Sequence, residues 1–267
     1  MRKIEIHGHR GYKGLLPENT IAGFLQAMEL GVNAIELDVV VTKENQLLVS
    51  HEPYMSSHLC LQPNGKSISK EDELQFNIYE MTYEQIQLFD CGSIKQANFT
   101  EQKLGQHSKP LLKEVLHAVM NKRKKTPAFN IEIKSERQWY GEYQPDLSDY
   151  AKIIFNEMKP LTKNKVPFMI QSFDPAILNK LYSLAPEWRY GLLIEGDVSI
   201  QKFLNRLIFK PSFINPDHQL ITKELIEEIH FEGLQILAWT VNDKERGEKL
   251  IELGVDGLIS DYPHYFL

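Results

Sequence analysis

The sequence predicts an α/β fold, a closed (β/α)8 TIM barrel, on three observations. Strand-like and helix-like segments alternate along 267 residues, a length that suits a single barrel. Eight strand-like segments remain once one short return strand is set aside. Polar residues collect at one end of them: His9, Glu36, Asp38, Glu132, Lys134, Gln171, Asn215 and Asn242 fall at or just past strand C-termini, the face on which barrel active sites sit. An open doubly wound sheet, which gathers its site at one switch point, stands as the alternative.

The elements follow in order. Residues 3–7 read as a strand. Residues 20–30 read as a helix, with Asn19 or Thr20 as N-cap and Gly31 as stop. Residues 34–41 are rich in Ile, Leu and Val and form the second strand. Lys43-Glu44-Asn45-Gln46 reads as a turn, since Asn tolerates left-handed dihedrals, and residues 47–49 return beside it. A helix over 110–122 starts well at Pro110. Strands over 128–134, 168–172, 190–194, 213–215, 235–239 and 257–260 are then separated by helices over 147–158, 175–183, 200–207, 222–231 and 243–253. The dense basic run at 122–125 reads as the end of a helix beside a loop.

One connection is abnormal. Residues 52–109 show weak periodicity, many charges, a Pro63-Asn64-Gly65 turn and a helical patch over 82–89. A segment that long is functional or a small subdomain. It is expected to be an insertion over the barrel mouth, inside one catalytic domain spanning 1–267.

Hydrophobic residues make up 42% and charged residues 25%, so a sizeable core is available. The net charge of −6 and the lack of a basic stripe disfavour nucleic acid as a partner. No apolar run approaches the ~20 residues of a membrane span. The N-terminus leads straight into a polar strand, not into the apolar core of a signal peptide, so a cytoplasmic location is expected. Cys60 and Cys91 show no metal spacing and are either free thiols or one disulfide.

The candidate chemistry comes from strand geometry. Side chains two apart on a strand share a face, so Glu36 and Asp38 point the same way. Asn130, Glu132 and Lys134 alternate with Phe129, Ile131 and Ile133. On a central parallel strand the polar set must point into the barrel, where charges persist only when paired or metal-bound. Glu36, Asp38 and Glu132 then offer hard oxygen ligands with no thiolate, which suits Mg2+ or Ca2+. Alternatively, two of these carboxylates simply pair with Arg10 and Lys134. His9 and His51 are the acid/base candidates, because imidazole titrates near neutrality. If the turn centres on Glu44-Asn45, Asp38 lies opposite His51, and a one-residue slip sends His51 to the other face. His7 lies deeper and is expected as a hydrogen-bonded core histidine. Arg10 suits bidentate phosphate contact. Phe173 and Trp239 read either as pocket lining or as core.

His9-Arg10-Gly11, Pro17-Glu18-Asn19-Thr20, Glu36-Leu37-Asp38, His51, Glu132-Ile133-Lys134, Gln171-Ser172-Phe173, Trp239-Thr240-Val241-Asn242 and the run Asp256 to Asp261 together resemble the glycerophosphodiester phosphodiesterases, in the family's order and over nearly the whole chain. The resemblance implies a (β/α)8 barrel with an insertion after the second strand, and metal-dependent hydrolysis of glycerophosphodiesters to glycerol 3-phosphate and an alcohol. It implies His9 and His51 as the general acid/base pair, and Glu36, Asp38 and Glu132 as ligands of a divalent Mg2+ or Ca2+. It implies Arg10 and Lys134 as the phosphate clamp, with Gln171, Phe173 and Trp239 beside the substrate. The expected partner is a small glycerophosphodiester, without stable membrane insertion, for a monomer or homodimer. This chain departs from the family in having His51-Glu52 where His-Asp is common, and His7 where an apolar residue is usual. Two competing functions are a sphingomyelinase-D-like phospholipase, which would want an apolar or basic rim, and a non-catalytic phosphate-binding barrel, which would lack a histidine or carboxylate of the set.

Overall fold

The computed structural model describes residues 4–122, 126–196 and 199–267. Eight parallel strands close into a barrel: β1 (Glu5–Gly8), β2 (Ala34–Val41), β4 (Ala128–Ile133), β5 (Phe168–Ser172), β6 (Arg189–Ile194), β7 (Phe213–Pro216), β8 (Gln235–Ala238) and β9 (Gly257–Ser260), with β1 pairing both β2 and β9. β3 (Leu47–Val49) adds antiparallel to the outer end of β2. Helices α1 (Ile21–Leu30), α3 (Leu112–Met120), α4 (Leu147–Lys163), α5 (Pro175–Leu184), α6 (Ile200–Leu204), α7 (Lys223–Phe231) and α8 (Lys244–Leu253) lie between the strands, and α2 (Tyr83–Ile86) lies within the 52–109 segment. Lys3 and residues 123–125 of the basic run fall outside the described residues.

Strand alternation divides the core in two. Ile35, Leu37 and Val39 of β2, Phe129, Ile131 and Ile133 of β4, and Ile170, Ile214, Ile236 and Leu258 face outward and pack under the helices. Met169, Phe213, Leu237 and Ile259 face inward and fill the barrel with an apolar plug. The polar positions stand on the same inward face. Asp38 pairs in register with Glu132, Glu132 with Gln171, and Glu36 with Asn130. Parallel register therefore sets two carboxylates side by side, with Glu36 one layer deeper.

The hairpin differs from expectation by one residue. Val39 pairs with Val49 and Val40 with Leu48, so Ser50, not His51, lies opposite Asp38, and Ser50 N–H donates to the Asp38 carbonyl at 3.1 Å. The turn has three central residues instead of two: Thr42 N–H donates to Gln46 O, and Asn45 takes φ 59°. A three-residue loop ending in a left-handed residue is a regular hairpin connection. The last helix before β5 also runs longer than the sequence suggests, to Lys163, because Pro160 falls in its final turn. The thiol alternatives resolve to a Cys60–Cys91 disulfide.

Residues 52–109 build their own apolar cluster from Met55, Leu59, Cys60, Ile68, Ile78, Ile86, Phe89 and Cys91, seated on Val40, Leu48 and Leu111. The segment is entered and left through one stem: Leu48 bridges Leu111, Val49 N–H donates to Pro110 O at 2.8 Å, and Lys109 Nζ donates to Ser50 Oγ at 2.8 Å.

Gly8 closes β1 beneath the loop that carries His9 and Arg10. A Cβ there would lie 2.3 Å from the Gly11 carbonyl oxygen, a backbone atom that cannot swing aside. Gly8→Ala should therefore lower stability by about 1–3 kcal/mol, read as a fall in the urea midpoint. An unchanged midpoint would show that the loop has room to shift.

Candidate active site

The loop after β1 is shaped by its polar side chains. Arg10 and Asn19 both take left-handed backbone, φ 49° and 56°, a conformation uncommon outside glycine. Arg10 N–H donates to Glu36 Oε2 at 2.8 Å, and Asn19 N–H donates to Arg10 O at 3.0 Å. The Pro-Glu-Asn-Thr run then has one task per polar residue. Glu18 pairs with Arg10 Nη1 at 2.8 Å and with Lys13 Nζ at 2.7 Å. Asn19 Nδ2 donates to Asp38 Oδ2 at 2.9 Å. Thr20 caps α1, accepting from Gly23 N–H.

Glu36, Asp38 and Glu132 converge, with one oxygen of each within 4.8 Å of the others, and all three are buried. Arg10 Nε lies 3.2 Å from Asp38 Oδ2, and Lys134 Nζ donates to Glu132 Oε1 at 2.7 Å. The expected ion pairs therefore form, yet they do not use up the cluster. Asp38 Oδ1 is buried and has no hydrogen-bond partner. Burial, with Asp38 and Glu132 close by, drives Glu36 well above the ordinary carboxylate range. Burial pushes Asp38 the same way, but Arg10, His51, Lys134 and Asn19 hold it below its usual value. A cluster of this kind, with an orphaned oxygen and one carboxylate resisting ionisation, fits a divalent cation with hard oxygen ligands.

Each candidate imidazole is backed by a carboxylate. His9 Nδ1–H donates to Asp261 Oδ1 at 2.6 Å, and His51 Nδ1–H donates to Glu52 Oε1 at 2.8 Å. Lys134 Nζ, which only donates, donates to His51 Nε2 at 3.2 Å, so that nitrogen carries a lone pair and Nδ1 the proton. Asp261 is held in turn by Asn242, whose Nδ2 donates to Oδ2 at 2.6 Å and whose Oδ1 accepts from Asp261 N–H. Burial pushes the His9 imidazole down against the pull of Asp261, with Arg10 and Lys13 adding to the depression. His51 reaches the site because the chain leaves β3 after Val49 and bends back, not through hairpin register.

An inner cavity of about 80 Å3 is lined by nine of the ten residues expected at the site, all but Asp38. Gln171 lines it too, but its amide is engaged: Nε2 donates to Glu36 Oε1 at 3.3 Å and Oε1 accepts from Asn215 Nδ2 at 2.7 Å. Phe173 and Trp239 meet edge to face, centroids 5.4 Å apart. His7 is buried below, its Nδ1 accepting from Asn130 Nδ2, as expected of a core histidine. A more voluminous concavity, about 880 Å3 between the N-termini of α4 and α5, contains none of these residues.

The profile of the glycerophosphoryl diester phosphodiesterase family matches residues 9–265. The chain belongs to this family. A glycerophosphodiester phosphodiesterase of Caldanaerobacter subterraneus is 31% identical over 261 residues, covering 98% of this chain and 95% of the relative. A solved structure from Silicibacter pomeroyi superposes with TM-score 0.88 at 25% identity, covering 99% of this chain and 92% of the other. A phosphodiesterase of Oleispira antarctica, solved in complex with the product sn-glycerol-3-phosphate, has the same fold, with TM-score 0.77 at 22% identity and coverage of 97% and 94%. Sequence reasoning gave no site role to Glu18, Lys109 and Asp261; it read Asn19 only as a possible helix cap, Glu52 only as a departure from the family's His-Asp, and Asn242 only as a polar residue on the site's face. Glu18, Asn19, Asn242 and Asp261 lie inside motifs of the family, but nothing in the sequence announces their partners.

Glu52 gives a pH test. Burial alone would raise its carboxyl, but the His51 hydrogen bond and charge bring it to about 2 from an ordinary 4.5. A depressed carboxylate stabilises the fold above pH 4.5 and loses that contribution as pH falls towards about 2. Glu52→Gln should therefore be less stable at pH 7, on the order of 1–3 kcal/mol, and lose less than wild type between pH 5 and 3. Parallel acid limbs in urea titrations would refute this.

Proposed function

We propose that this chain is a metal-dependent phosphodiesterase that hydrolyses glycerophosphodiesters to glycerol 3-phosphate and an alcohol. One observation carries the reading: two imidazoles, each with its Nδ1–H tied to a carboxylate, lie with three converging carboxylates at one small cavity. That set is more than a phosphate-binding barrel needs, and the complex of the Oleispira protein with sn-glycerol-3-phosphate agrees with a small-molecule substrate. Among the described residues no helix is long and apolar enough to cross a membrane.

Glu36, Asp38 and Glu132 would hold Mg2+ or Ca2+, since all three donors are hard oxygens. The bound cation supplies charge neutralisation at the phosphodiester. Arg10, fixed between Glu18 and Asp38, and Lys134 bring further positive charge to the phosphate oxygens. Asp261 and Glu52 keep both histidines in the Nδ1–H form, so each Nε2 is the working atom. One histidine, neutral with a lone pair on Nε2, removes a proton from the nucleophile, either water or the neighbouring glycerol hydroxyl, while the other, entering the step protonated on both nitrogens, gives its Nε2 proton to the departing alkoxide. Phe173 and Trp239 give the ester arms an apolar wall. Residues 52–109 form an insertion over the mouth, resting on the β1–α1 loop through Gln102, whose Nε2 donates to Lys13 O and Leu16 O.

Excess EDTA should abolish release of glycerol 3-phosphate from glycerophosphocholine, and Mg2+ or Ca2+ should restore it. Glu132→Gln should weaken metal binding measured by calorimetry. Full turnover in EDTA would remove the metal from the reaction.

His9→Ala and His51→Ala should each slow turnover by about 10²–10⁴-fold. Because they act on one reaction, the double variant should fall little below the slower single variant. Near wild-type turnover in His51→Ala would leave that histidine without the assigned role.

A further inference from the structure

Beside the inner cavity an outer cleft of about 400 Å3 opens between the segments that follow β4, β6 and β8. His51, Glu132, Lys134, Phe173 and Trp239 line both spaces, so the two are continuous. A diester whose phosphate sits at His51 and Lys134 has two arms, and the inner cavity is too small for both. The second arm extends into the outer cleft.

The walls of that cleft have a consistent chemistry. Trp139 joins Phe173 and Trp239, giving three aromatic rings, and Glu136 and Glu195 add two exposed carboxylates. The planes of Phe173 and Trp239 stand at 86°, forming a corner with one ring face and one ring edge. Lys134 Nζ lies 5.9 Å from the Phe173 centroid, so that ring already faces a cation. Lys134 is the cleft's single lysine or arginine, and its ammonium lies at the phosphate end, bonded to Glu132. Glu136 Oε2 accepts from Gln138, a neutral donor, while Glu195 makes no hydrogen bond or ion pair among the described residues. Aromatic faces and unneutralised carboxylates around one space attract an organic cation. A neutral alcohol gains nothing from the carboxylates, and an anionic one is repelled.

We propose that the outer cleft selects a cationic head group at the alcohol end of the diester, an alcohol carrying a quaternary or primary ammonium. Trp139 and Glu195 are its specificity residues, with Glu136 at the rim. This rests on the diesterase reading above and narrows its substrate class.

The test compares glycerophosphocholine with glycerophosphoglycerol, which share the glycerol phosphate half and differ in head-group charge. Wild type should favour the choline diester in kcat/KM on the order of tenfold, mostly through KM. Raising the salt from about 0.02 to 0.5 M should shrink that preference, because exposed carboxylates are screened. Trp139→Ala combined with Glu195→Gln should bring the ratio near one, and Glu195→Asp should retain part of it. Calorimetric binding of both diesters to the His51→Ala variant reads the same preference without turnover. Equal kcat/KM and equal binding for the two diesters, or a ratio unmoved by the paired substitution, would overturn the proposal. If wild type, supplied with metal, hydrolyses neither diester, the diesterase reading fails. The binding preference then still decides whether the cleft holds cations.

Discussion

Three carboxylates share the interior of a barrel whose floor is hydrocarbon, and much of the neighbouring structure answers that concentration of negative charge. An ionised carboxylate in such a place needs partners. Here they come from separate directions. Arg10 and Asn19 arrive from the β1–α1 loop, Lys134 from the end of β4, and Gln171 from β5, with Asn215 behind it. Asp38 still keeps an oxygen without a partner. The protein alone leaves the cluster undercompensated, which is what a cation site requires.

The β1–α1 loop is the main instrument of compensation, and its geometry follows from the work. For Arg10 to lie against Asp38 while its own N–H reaches Glu36, the backbone must enter the left-handed region, where a Cβ is unfavourable. Asn19 makes the same concession to reach Asp38. Glu18 then restrains both Arg10 and Lys13. Such residues persist in strained backbone because several hydrogen bonds and ion pairs converge on them.

Much of this was legible in the sequence. Alternation of apolar and polar residues along β2 and β4 placed Glu36, Asp38 and Glu132 on one inward face, and register brought Asp38 beside Glu132. Local turn chemistry was less legible. Asn45 at a left-handed position marks a turn whether two or three residues bridge the strands, and the difference moved the register by one. His51 still arrives at the site because it lies past the strand, where pleat parity no longer governs direction. The helix expected over 147–158 runs on to Lys163, because Pro160 is tolerated in its last turn. The supporting carboxylates were hidden for a different reason. His9 and Asp261 are 252 positions apart, and only barrel closure between β1 and β9 makes them neighbours.

The stem of the 52–109 segment has a separate consequence. Leu48–Leu111, Val49–Pro110 and Lys109–Ser50 tie the two ends of that segment together at the end of β3. With the ends fixed, changing the length of the chain between them alters loop-closure entropy only slowly, by about 0.6 kcal/mol per doubling. The segment is therefore attached in the manner of an exchangeable module. Its length or sequence can change while the carboxylates and imidazoles held by the barrel strands and their loops stay where they are.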